Sequence, residues 1–222
     1  MIPKIINYIW LGGNPLPAEF EKYLEEWRRR LPDYEIKRWD ESNFDINEYT
    51  YAREAYDMGQ YVFTGDVAKF HILYHHGGIY LDTDIEVLKS FDPFLHHQSF
   101  IGYETDAIGT GVIGAEAGSP WLKAFLDNYR QRHFISWWGH PTRTPQPSVL
   151  SRVVMPTVPE EERPAIYPID YFCAKDWRDG SIRTTENTVS IHHYANTWKR
   201  TRKSLLQKAG ILIKGIRTRY LR

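Results

Sequence analysis

Asp82 and Asp84 flank a single threonine at the end of a short apolar run, Ile79-Tyr80-Leu81. Residues two apart on a strand point to the same side, so the two carboxylates repel each other unless a cation stands between them. Three kinds of chemistry give the pair a purpose. The plainest is an acidic turn, in which Asp bonds nearby backbone after a strand. A second is a phosphohydrolase nucleophile. That pattern wants Thr or Val two places past the second Asp, near the start of a chain; here the place holds Glu86, deep in the sequence. The third is a divalent-cation site, where hard carboxylate oxygens hold Mn²⁺ or Mg²⁺ and leave positions open for phosphate.

The surrounding elements must bring such a pair to a ligand. "PKIINYIWL" reads as a first strand closed by Gly12-Gly13. "PAEFEKYLEEWRRRL" has Phe20, Leu24, Trp27 and Leu31 at helical spacing, and "YEIKRWD" alternates as a second strand. "INEYTYAREAYDMG" is a helix stopped by Gly59. Thr64 caps the next one, "DVAKFHILYHH", which ends at Gly77-Gly78 before the strand into Asp82. "SFIGYE" and "GTGVIGAE" are further strands, "PWLKAFLDNYRQR" and "QPSVLSRVVM" helices, and "TVSIHHY" a last strand. Strands alternating with helices predict an α/β fold, a Rossmann-like, mainly parallel sheet with helices on both faces. Ligands then bind at the carboxyl ends of strands, where Trp10 with Gly12, Asp40 and the Asp82–Asp84 pair all fall.

The 222 residues suit one α/β domain, and 42% hydrophobic with 25% charged residues is ordinary for a globular chain. The single cysteine, Cys173, rules out an internal disulfide and fits a reducing compartment. The N-terminus lacks the pattern of a signal peptide, and no apolar stretch approaches the ~18 residues of a membrane span. A cytoplasmic protein is expected. The net charge of zero hides an asymmetry: residues 199–222 hold nine Lys and Arg and no acidic residue, leaving −9 on residues 1–198.

The strings "IPKIINYIWLGG", "YEIKRWDES", "GDVAKFHILYHHGGIYLDTDIEVLKSFDPFL" and "IHHYANTW" resemble the D-x-D sugar-transferase family of capsular-polysaccharide and yeast initiating-mannosyltransferase type, distantly similar to the glucosylating clostridial toxins. The resemblance covers most of residues 2–198. It implies a GT-A fold over residues 1–198, a nucleotide-sugar donor with a UDP-sugar favoured, a divalent cation, and transfer with retention to a glycan or lipid-linked glycan hydroxyl. Asp82 and Asp84 match the motif and would hold the cation. Trp10 matches an aromatic that stacks on the base, its other reading being a core Trp, and Gly12 lies in the same turn. Asp66 matches an Asp that binds donor-sugar hydroxyls; a first-turn Asp favoured by the helix dipole is the alternative. Lys69 replaces the usual Arg, a point charge for a planar fork. Asn7 stands where His is common. His193 is expected as the third metal ligand rather than His192, since adjacent strand residues face opposite ways. Asn196 and Trp198 match a segment closing over the diphosphate. Trp137, Trp138 and Gln146 read either as an acceptor groove or as a surface helix and loop. The rival from another class is a catalytically silent, lectin-like domain. No nucleic-acid partner is expected.

The tail, residues 199–222, sets Leu205, Leu206, Ala209, Leu212, Ile213, Ile216 and Tyr220 at three- and four-residue steps with basic residues between them. That pattern predicts a basic amphipathic helix, either lying on an anionic membrane surface at the inner leaflet or packed on its own domain.

Overall fold

Short apolar strands alternating with helices give, in chain order, β1 (Ile5–Ile9), α1 (Ala18–Arg30), β2 (Glu35–Trp39), α2 (Thr50–Asp57), α3 (Tyr61–His76), β3 (Gly78–Leu81), β4 (Ile85–Val87), β5 (Ser99–Glu104), β6 (Ala107–Ala115), α4 (Pro120–Arg130), α5 (Gln146–Val149), β7 (Ala165–Tyr167), α6 (Ile169–Phe172), β8 (Ser190–His192) and α7 (Leu205–Tyr220). They come from a computed structural model, which describes residues 1–105, 107–195 and 205–221. Six strands form one sheet in the order β2-β1-β3-β6-β5-β7. β1 runs parallel to β2 and β3, and β5 parallel to β7; β6 opposes both of its neighbours. Five strands therefore share one direction, as expected of a mainly parallel sheet.

The two faces are legible in β3. Tyr80 joins the cluster of Val67, Phe70 and Leu73 from α3 with Trp121 and Phe125 from α4. Ile79 and Leu81 turn the other way, to Leu24 and Trp27 of α1, Phe91 and Phe172. This is the period-two alternation of a sheet covered on both sides. Each fully buried large side chain contributes about 1.5–3 kcal/mol.

The register Ile6↔Ile79 and Asn7↔Tyr80 sets β1 and β3 side by side, so the chain leaves them at Trp10 and Asp82 on one edge. Asn7 holds that register. It is fully buried, donates to Gly77 O at 3.1 Å and accepts from Trp39 Nε1 at 2.8 Å. Gly78 follows with φ +99°, and a Cβ there would lie 2.6 Å from Ile5 O. Only glycine meets both demands. Asn7, standing where the resemblance expects His, thus ties three strands together.

One expectation needs correction, two short strands add to the reading, and the tail takes one of the two placements its pattern allows. Thr64 does not cap α3, which begins at Tyr61; Thr64 is buried inside it and donates to Ala52 O at 3.1 Å. Asp66 consequently lies beyond the first turn, which removes the helix-dipole reading. β4 and β7, each three residues long, are too short to show a period. β4 pairs with β8 in a separate antiparallel ribbon beside the main sheet. α7 packs on its own domain. Gly215 meets Gly139, where any side chain would overlap backbone. Arg219 Nη1 donates to Ile135 O, and Tyr220 Oη to Trp137 O at 3.1 Å.

Within α3, His71 sits edge-on to Phe44 and Tyr49, with Nδ1 3.1 Å from Tyr49 Oη. Burial first, then the neighbouring His75, lowers its pKa to about 4. The unfolded chain binds that proton near pH 6.5. Stability contributed by neutral His71 is thus complete above pH 6.5 and lost as pH falls through about 4. Urea midpoints should drop across this window and drop less in His71→Gln; equal slopes would exclude His71 as a cause.

Candidate active site

Asp82 follows the last residue of β3, and its N–H donates to Gly111 O of β6 at 2.9 Å, extending the ladder by one bond. Its Oδ1 accepts from Tyr80 Oη at 2.8 Å and from Lys69 Nζ at 3.2 Å. Those bonds leave Oδ2 turned toward His192 Nε2, 3.8 Å away. Asp84 is arranged likewise. Oδ2 accepts from the Ala195 N–H at 2.7 Å, and Oδ1 lies 3.2 Å from His192 Nε2. One oxygen of each carboxylate is anchored by protein, and the other converges with the imidazole. The three ligand atoms of Asp82, Asp84 and His192 lie within 4.8 Å of one another.

His192, rather than the expected His193, faces the two aspartates. β8 pairs His192 with Ile85 of β4, and the strand's alternation turns His192 to the aspartates and His193 away. His193 Nε2 lies 2.7 Å from Glu86 Oε2, and its ring stacks on Tyr23 at 5.3 Å.

Lys69 is the lysine set among these acids. Only 4% exposed, it lies 3.2 Å from Asp82, 3.9 Å from Asp66 and 3.2 Å from the Thr110 carbonyl it donates to. It braces Asp82 from within rather than reaching outward as a sugar or phosphate donor. Burial raises Asp66 to about 7 against the pull of Lys69. Burial alone would also raise Asp84, but the hydrogen bond and charge of His192 and the Ala195 amide bring it down to about 2. For His192, burial works against the proton, and the bond to Asp84 and both aspartate charges outweigh it, so its pKa is raised well above the usual imidazole value. The site draws positive charge toward itself. Two carboxylates and an imidazole suit Mn²⁺ or Mg²⁺. An octahedral ion with ~2.1 Å bonds sets adjacent ligands about 3 Å apart, close to the 3.2 Å between Asp84 Oδ1 and His192 Nε2.

The remaining candidates separate into two groups. Trp10 leaves β1 at the same edge; its Nε1 donates to Asn14 O at 2.8 Å and its ring meets Phe20 edge-on at 5.7 Å. Gly12, at φ +96°, lets the Tyr61 ring close over the turn. Asn196 and Trp198 lie outside the described residues.

Two contributors, Glu104 and Gly111, escaped the sequence reading, and Gln146, read as acceptor groove or surface helix, is buried beside Asp66. Glu104, at the end of β5, is largely buried and raised by that burial, within range of the charges on His192, Asp82 and Lys69. Nothing local marks it. Gln146, 2% exposed, donates to the Asp66 carbonyl. At Gly111 a Cβ would stand 2.9 Å from His192 Nδ1 and 3.3 Å from Asp82 Oδ2. Glycines alternating in "GTGVIG" signal such close approach.

Residues 17–101, which include Asp66, Lys69, Asp82 and Asp84, match the family model described as a glycosyltransferase sugar-binding region containing a DXD motif. Over that region the chain is similar to glycosyltransferases with a DXD motif. Among similar curated proteins, inositol phosphoceramide mannosyltransferase 3 of Schizosaccharomyces pombe is 33% identical over 132 residues, 57% of this chain and 37% of that one. Inositol phosphoceramide mannosyltransferase 1 of the same yeast is 29% identical over 158 residues, 67% of this chain and 47% of its own. The chain thus spans less than half the length of either. A solved glycosyltransferase involved in glycosylation of the major capsid of PBCV-1 superposes with TM-score 0.52 at 13% identity, covering 95% of this chain and all of that one. The DXD region therefore sits in the GT-A fold that the sequence led us to expect.

Two substitutions test the site. Lys69→Met leaves buried carboxylates without their cation and should cost about 3 kcal/mol of stability. Mn²⁺ should restore part of that loss, and urea unfolding with and without the ion measures both. Gly111→Ala pushes on the His192 ring while leaving the sheet paired. Manganese affinity by calorimetry should fall about tenfold or more, with circular dichroism unchanged. Unaltered affinity would mean His192 is not held against Gly111.

Proposed function

We propose that the chain transfers a sugar from a nucleoside-diphosphate donor to an acceptor hydroxyl, with a divalent cation held by Asp82, Asp84 and His192. The observation that carries this reading is the convergence of those three ligand atoms within 4.8 Å at the carboxyl edge of the sheet, with both aspartates inside the region that matches the DXD family model. A bound cation supplies neutralisation of the charge that gathers on a departing diphosphate.

The protein's own groups divide the rest of the work. Asp66, set behind Asp82 on α3, is assigned to the donor-sugar hydroxyls. Lys69 keeps Asp82 in place and prevents the acidic cluster from spreading. Trp10 offers a ring to the nucleobase at the exit of β1. Asn196 and Trp198 are assigned to the diphosphate by resemblance alone. Retention by front-face attack remains the proposed course, with the leaving phosphate taking the acceptor proton. A UDP-sugar is the sequence expectation for the donor. The relatives' names add mannose as the sugar and inositol phosphoceramide as the acceptor, so the donor panel needs GDP-mannose beside the UDP-sugars.

Slow release of free sugar across that panel with Mn²⁺ tests the proposal without knowledge of the acceptor. Turnover should require the ion and fall about a hundredfold or more in Asp84→Asn and in His192→Ala, while His193→Ala stays near the parent value. Near-normal turnover of Asp84→Asn with Mn²⁺ would show the site to be misassigned. Binding of donor without any release would favour the lectin-like alternative.

A further inference from the structure

Residues 128–159 and residues 199–222 are two long stretches without an acidic residue. They are far apart in sequence, and the fold places them together. The first includes a tight turn, in which the Gly139 N–H donates to Ser136 O at 2.9 Å and the Ser136 N–H to His140 O at 2.8 Å. Its base is held by a buried carboxylate. Glu54 of α2, 1% exposed, accepts from the Ile135 N–H at 3.0 Å and pairs with His133 Nδ1 at 2.7 Å. At the tip, Trp137 and Trp138 lie against each other with ring centroids 3.8 Å apart, and they are 64% and 62% exposed. The second stretch supplies α7, which packs on this turn through Gly139 and Gly215.

That packing uses one face of α7 and leaves another. Gly215 and Thr218 are buried, and Ile216 borders Gly139 while staying 39% exposed; Ile213 and Tyr220 remain exposed on the same side, followed by Leu221 at 73%. Lys214 and Arg217 flank that stripe, both exposed. A chain that only needed a C-terminal helix against its domain would turn these apolar residues inward. A rigid turn with two outward tryptophans likewise leaves contiguous apolar surface in water, which a monomer avoids without a partner.

We propose that this composite surface, Trp137 and Trp138 with Ile213, Ile216 and Tyr220 beside Lys214 and Arg217, docks on an anionic lipid bilayer. Trp and Tyr prefer the headgroup level of a membrane, where an apolar body and a polar edge are both satisfied. Lys and Arg beside them gain from anionic headgroups, and neither stretch adds an acidic residue of its own to oppose them. Among the described residues no helix is long and apolar enough to cross a membrane, so the contact is peripheral. The expectation of a membrane-lying tail and that of a domain-packed tail are thereby joined: one side of α7 takes each role. Past the tryptophan turn the chain reaches Gln146, which bonds the Asp66 carbonyl. A docked turn would set the donor site near the bilayer, as a lipid-linked acceptor requires, a consequence that rests on the proposed transfer reaction.

Co-sedimentation of the full chain with vesicles decides the matter. Phosphatidylcholine vesicles containing phosphatidylglycerol should bind it with a blue shift of tryptophan emission, and pure phosphatidylcholine should not. Salt should weaken the binding, and Lys214→Gln with Arg217→Gln should weaken it roughly thirtyfold. Trp137→Ala with Trp138→Ala should abolish the shift while circular dichroism stays unchanged. Equal binding by all variants, or none by the parent chain, overturns the proposal. So would a solution dimer that the tryptophan substitutions dissociate without any vesicle binding, because a second copy of the chain would then be the occupant. Sugar release in solution by the Lys214 and Arg217 variant, expected at the parent rate, reports separately on the transfer chemistry.

Discussion

Much of the site follows from a shortage of positive charge. Asp66, Asp82, Asp84 and Glu104 gather at one edge of the sheet, and Lys69 is the lysine built among them. A buried ion pair recovers its desolvation cost only when its geometry is good and its remaining polar atoms are satisfied. Lys69 meets that condition through Asp82 and the Thr110 carbonyl. It does not balance the cluster. The remaining negative charge raises the proton affinity of His192, while burial raises that of Asp66. A divalent cation is the species that would satisfy the same demand during turnover.

The scaffold can hold like charges together because its backbone is fixed by interactions that do not depend on them. Asn7 clamps β1, β2 and the start of β3, so Asp82 emerges at a set place whatever its ionisation. Gly111 opens the room that His192 occupies, and Gly78 allows β3 to begin against β1. Each is a position where a larger side chain would move a ligand. Preorganisation of this kind lets electrostatic stabilisation act without rearrangement when charge develops.

Glu54 applies the same logic away from the site. Its charge is buried and answered by one backbone amide and one imidazole, which fixes the loop carrying Trp137, Trp138 and, further on, Gln146. The wall of the site and the outward aromatic turn are therefore parts of one braced segment, with α7 closing on its far side.

The sequence by itself determined the α/β alternation, the strand-end position of Asp82 and Asp84, and the basic character of the tail. These are local properties: period, turn residues and composition are written within a few positions of each other. The DXD block could be recognised for the same reason, since helix, Gly-Gly, strand and acidic pair are contiguous. Tertiary structure decided what depends on phase and on distance in the chain. Whether His192 or His193 meets the aspartates rests on how β8 registers with β4, a one-residue choice that reverses every side chain. That Lys69 braces Asp82, that Glu104 joins the cluster, and that α7 presents one face to Gly139 and another to solvent are contacts between residues far apart in sequence. No local pattern encodes them, because each arises only when two surfaces pack together.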